Sequence, residues 1–133
     1  MRKSACTLVL CIVLVLSWCA TAFASDVMPC YDYTSMVTAS LSISSGTATA
    51  SGYIIPDGSM RSSVKVQLQR NDDGQWNTIA TWRGSNSAGM SSAGGTKSLT
   101  SGYTYRTFVT GYVYNSDGVV VEVVSVKSHE KSY

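Results

Sequence analysis

The sequence predicts an all-β chain, on three observations: period-two alternation of apolar and hydroxyl side chains, turn residues at spacings of about 8–15 residues, and no convincing helical period beyond the N-terminal leader. Short strands of this kind pack by default as a two-sheet antiparallel sandwich, here of about seven strands over residues 35–128. The first strand, Val37 to Ser44, sets Val37, Ala39, Leu41 and Ile43 on one face and hydroxyls on the other. Ser45-Gly46 turns the chain. The second, Thr47 to Ile54, alternates with small inward residues, which calls for a bulky neighbour across the core. Pro56-Asp57-Gly58 ends it, Pro presetting φ and Gly admitting φ > 0.

Val64 to Gln69 is the third strand, and Asn71-Asp72-Asp73-Gly74 is the hairpin loop to a return strand from Trp76 to Trp82. Ile79 falls out of step with Trp76, Thr78, Ala80 and Trp82, so either a bulge lies there or one Trp faces outward. Gly84 to Gly95 is rich in Gly, Ser, Asn and Ala. It reads as a flexible loop or a weak edge strand, with pairing resumed near Thr96 to Leu99. Leu99 to Tyr114, the turn Asn115-Ser116-Asp117-Gly118 and the valine-rich run Val119 to Lys127 complete the set.

The leader assigns a compartment. Arg2 and Lys3 precede an apolar run from Ala5 to Trp18, followed by Ala22-Phe23-Ala24, the pattern of a signal-peptide helix cleaved after Ala24. A membrane anchor would need about 20 apolar residues, more than this run supplies. A lipid-modified Cys19 would need a small residue where Trp18 stands. The expected product is a secreted chain beginning at Ser25, with a loose segment at 25–34 and a C-terminal tail at 129–133. It needs no membrane after cleavage.

The formal charge of +2 resides in Arg2 and Lys3, so the exported chain is near neutral. With no two basic residues adjacent after Lys3, nucleic-acid binding is set aside. Cys6, Cys11 and Cys19 leave with the leader. Cys30 then has no intrachain partner, and stability must come from strand pairing and apolar burial.

The run Leu99-x-x-Gly102-x-x-Tyr105-x-x-x-Val109 resembles the corner before the sixth strand of immunoglobulin-like and fibronectin-type sandwiches. That resemblance implies a structural Tyr105, its hydroxyl bonded to the upstream backbone. The stretch from Tyr103 to Gly118 and the ending Lys131-Ser132-Tyr133 are similar to small secreted Ser/Thr-rich proteins of Gram-positive bacteria, a family without an assigned activity. It implies the compartment and the fold and carries over no catalytic residue.

Catalytic chemistry is sparse. A Ser-His-acid or Cys-His site needs a fixed imidazole, and the only histidine, His129, lies close to the C-terminus. Asp72 and Asp73 are adjacent on a turn, where carboxylates point apart into water. Neither Asn/Asp-rich turn has the spacing and distal Glu of a calcium loop. No enzyme activity, cofactor or metal is expected.

The remaining candidate is a surface. If Tyr105, Thr107, Val109, Gly111 and Val113 point inward, then Arg106, Phe108, Thr110, Tyr112 and Tyr114 share the outer face beside Lys65, Gln67 and Gln69. Tyrosine offers large contact area at small entropic cost and keeps a polar tip, which suits sugar stacking or protein contact. The expected function is a non-enzymatic binding module for a cell-surface glycan or protein. The alternative is a structural or self-associating protein, in which the same aromatic stripe or a poorly protected edge strand such as Val119 to Val126 makes weak homotypic contacts. Equally, cross-strand neighbours alone could cover these rings.

Overall fold

The computed structural model describes residues 30–133. The leader and the expected start at Ser25 lie outside them. Eight strands follow in order: β1 Thr34–Ser44, β2 Thr47–Pro56, β3 Arg61–Asp72, β4 Gln75–Asn86, β5 Ser91–Ser98, β6 Thr104–Tyr114, β7 Val120–Lys127 and β8 Lys131–Ser132. They form two antiparallel sheets, β1-β2-β5 and β4-β3-β6-β7, with β8 also paired to β6. This is an immunoglobulin-like sandwich, in which the second hairpin adds β4 beside β3 on the larger sheet.

Two hairpins are set by residues at φ > 0: Ser45 (48°) with Gly46 (74°), and Asp73 (53°) with Gly74 (90°). Paired positive φ values give the turn twist that matches right-handed strands, so these residues fix the register of β1 on β2 and of β3 on β4. The phase conflict around Ile79 is a bulge. Leu68 pairs with Ala80 and Gln69 with Thr78, leaving Ile79 as the extra residue. Side-chain direction therefore flips between the two indoles: Trp82 packs on the core, and Trp76 lies outside beneath the Arg106 guanidinium.

Residues 84–95 are mostly strand. β4 continues to Asn86, and β5 pairs with β2 along its whole length. The glycines here mark a close approach of the two sheets. A Cβ at Gly84 would strike the Ser92 carbonyl oxygen, and one at Gly95 would strike the Trp82 indole.

The core joins Leu41, Ala48, Ala50 and Ile54 of the smaller sheet to Val64, Val66, Leu68, Tyr105, Val109, Val113 and Val124 of the larger. β2 and β6 meet in a reciprocal fit. Gly52 on β2 leaves room for Val109, and Gly111 on β6 leaves room for Ile54. The small inward residues of β2 thus face the bulky partner they require. At one end of the sandwich the hydroxyls of Ser62 and Ser91 lie 2.7 Å apart and bond the backbone, tying β3 to β5.

Both ends of the described chain are held. The Glu122 carboxylate on β7 accepts hydrogen bonds from the Asp32 and Tyr33 amides and from Thr34 Oγ1, at 2.7, 3.1 and 2.5 Å. The last residues, expected as a tail, supply β8. Beyond it the Tyr133 carbonyl accepts from the Gly102 amide at 2.6 Å, and the Tyr133 amide donates to the Tyr103 carbonyl at 3.0 Å. Among the described residues no helix is long and apolar enough to cross a membrane.

Candidate functional site

The outer face of the larger sheet is assembled by register. Pairing aligns Ser63 with Tyr112, Lys65 with Thr110, Gln67 with Phe108 and Gln69 with Arg106. On the far side of β3 the same residues meet Ser85, Arg83, Thr81 and Thr78. On the far side of β6, Tyr112 meets Val123, Thr110 meets Ser125 and Phe108 meets Lys127. Phe108, Tyr112, Tyr114, Lys65 and Gln67 therefore share one surface. Thr110 also points outward by alternation but is only 8% exposed, because its short side chain sits in the row between Phe108 and Tyr112.

The rings are half-buried, and their neighbours differ. Tyr114 is engaged within the fold: the Arg61 guanidinium lies 4.8 Å from its ring centroid, and its hydroxyl is 2.9 Å from Ser63 Oγ. Arg106 covers Trp76 at 4.1 Å, donates to Gln69 Oε1 at 2.9 Å and lies 5.9 Å from the Phe108 centroid. The Gln67 and Gln69 amides both reach Thr78 Oγ1. Tyr112 has smaller cross-strand partners, Ser63 and Val123. Its ring forms one wall of an open groove of about 290 Å³ that Ser63, Lys65, Arg83, Gly84 and Ser85 complete. A larger cleft, about 550 Å³, lies at the loop end between the 57–60 and 115–118 turns. It borrows the edge of Tyr114, but that ring is capped by Arg61 and the rest of the lining is mainly turn. The groove beside Tyr112 has the better chemistry.

Two residues of this surface, Arg83 and Trp76, escape a reading of the sequence. Their face depends on which side of the Ile79 bulge they occupy, and the conflicting phases of the two tryptophans were the signal available. Pairing also makes neighbours of basic residues that are distant in sequence, since Lys65 and Arg83 are direct cross-strand partners.

The other sequence candidates have structural surroundings. Tyr105 is fully buried, donates to the Thr100 carbonyl at 2.6 Å and accepts from the Thr100 amide at 3.2 Å. Gly102, at φ 92°, turns the chain between Leu99, half-buried against the core, and Tyr105. Asp72 bonds the Asn77 amide at 2.7 Å and Arg70 Nε at 2.8 Å. The hydrogen bond from Asn77, then that from Arg70, holds its carboxyl below the usual aspartate range. His129 and Cys30 are exposed. Among the described residues no three His, Cys, Asp or Glu side chains gather as a metal site.

No protein-family model matches the chain, and no curated protein matches it.

Proposed function

We propose that this chain is a secreted, non-enzymatic binding module whose outer β3-β6 face meets a glycan or protein at a cell surface. The observation that carries the reading is the groove beside Tyr112: an aromatic wall, two cations and two serine hydroxyls on a rigid sheet. A half-buried ring has already lost most of its rotamer freedom, so contact through it costs little further ordering. Phe108 and the capped Tyr114 extend the surface along β6. Replacing Tyr112 and Tyr114 with Ser and measuring retention on glycan arrays and intact cells tests the reading. Loss of retention at an unchanged melting temperature supports it, and unchanged retention rejects the face.

A second reading rests on β7, an edge strand on which Val120 and Val123 are exposed, Val123 by 56%, as is Val119 just before it. Such an edge suits homotypic pairing. A strict monomer by sedimentation at high concentration excludes it.

A further inference from the structure

We infer that the partner of the Tyr112 face is an anionic polysaccharide, with Lys65 and Arg83 as its carboxylate subsite. The inference rests on the binding reading above and narrows it to one ligand class.

Strand register places Lys65, Arg83, Arg106 and Lys127 on the outer face of the larger sheet. Lys65 and Arg83 pair with each other, and the other outward positions paired with these four are Thr110, Gln69 and Phe108, none of them a carboxylate. The acidic side chains are elsewhere. Asp57, Asp72, Asp73 and Asp117 occupy turns or strand ends, Asp32 lies in the N-terminal segment to which Glu122 is bound, and the exposed Glu130 directly precedes β8 at the Arg106 end of β6, away from Lys65 and Arg83. The centre of this face, at Lys65 and Arg83, is therefore cationic, which attracts polyanions and repels cations.

Lys65 and Arg83 stand directly opposite each other on β3 and β4. Like charges at that position destabilise a sheet unless something neutralises them. The only ion pair among the described residues is Arg70 with Asp72, at the other end of β3. Lys65 and Arg83 both line the Tyr112 groove, so an oxygen anion seated there relieves their repulsion while a sugar ring lies on the tyrosine.

The spacing favours a polysaccharide over a nucleic acid. Lys65 and Lys127 are two strands and two residues apart, about 12 Å between Cα atoms from ordinary sheet spacings. That suits carboxylates dispersed along sugars better than duplex DNA, which carries a charge about every 1.7 Å.

The test is affinity electrophoresis and titration of residues 25–133 with polygalacturonate, a neutral galactan of matched length, a single-stranded oligonucleotide and phosphatidylserine vesicles. Polygalacturonate binds, the galactan binds at least about tenfold more weakly, and raising salt from about 0.1 to 1 M abolishes retention as the Debye length falls to about 3 Å. The Lys65→Gln/Arg83→Gln variant loses about tenfold or more in affinity, and its melting temperature is unchanged or raised because the opposed charges are gone. Equal affinity for the galactan, tighter binding to the oligonucleotide or vesicles, or full affinity in the double variant overturns the inference. If the double variant keeps cell retention while Tyr112→Ser loses it, the anionic ligand fails and the binding face stands. If neither variant alters retention, both fail.

Discussion

Gly111→Ala tests whether the β2-β6 crossing is as tight as its geometry requires. A Cβ at position 111 would lie 2.5 Å from Ile54 Cδ1 and 3.1 Å from Ile54 Cβ, whereas carbon atoms rest at about 3.5–4.0 Å. Something must move by about 1 Å. β2 is held between β1 and β5, and β6 between β3 and β7, so neither backbone is at a free edge. Overpacking of this kind costs about 1–3 kcal/mol, of which the reduced freedom of the unfolded chain returns about 0.5. A net loss of about 1.5 kcal/mol lowers the melting temperature by about 6–12 °C for a domain of this size. Ile54→Val alone removes the atom nearest the new methyl and costs about 1 kcal/mol. In the double variant the two changes compensate, and the loss is smaller than the sum by about 1 kcal/mol. Urea denaturation of the four proteins, with calorimetry as a second probe, measures the cycle. Additivity within about 0.3 kcal/mol, or an unchanged melting temperature for Gly111→Ala, would refute the reciprocal fit.

Other consequences are as direct. Thr107 is fully buried, and its hydroxyl has no hydrogen-bond partner among the described residues; Thr107→Val therefore stabilises the fold by about 1 kcal/mol, read as a higher urea midpoint at unchanged m. Tyr105→Phe removes two hydrogen bonds to Thr100 and costs about 1–2 kcal/mol, while Tyr112→Phe leaves the melting temperature within about 2 °C. Because Asp72 has a lowered pKa in the folded state, its contribution is present above the unfolded aspartate value of about 3.9 and fades as pH falls through the lower folded value. Asp72→Asn accordingly narrows its stability difference from the parent in acid-range melts below about pH 4, and a difference that widens there contradicts the assignment.

The fold was legible because its signals are local. Alternation in Val37–Ser44 and Tyr105–Val113 assigns the inward faces, and Ser45-Gly46 and Asp73-Gly74 mark the reversals. Phe108, Tyr112 and Tyr114 could be put on one face for the same reason. What sequence spacing could not convey is adjacency between strands. The absence of neighbouring basic residues along the chain argued against a charged surface, yet Lys65 and Arg83 touch register across a hairpin whose phase is shifted by one unpaired isoleucine. The glycine stretch at 84–95 looked loop-like because composition alone does not distinguish a mobile segment from strands pressed too close for side chains. Lys131-Ser132 is polar and two residues long, so nothing in it announces a strand.

The unpaired isoleucine at position 79 also equips the protein with separable optical reporters. A chain beginning at Ser25 retains only the indoles of Trp76 and Trp82, and the bulge sends them to opposite sides of one sheet. Emission from Trp82 follows loss of the interior on denaturation, whereas Trp76, under a guanidinium on the side of the proposed binding face, reports on that face. Single Trp→Phe versions would let one cuvette distinguish a docked molecule from a melted one.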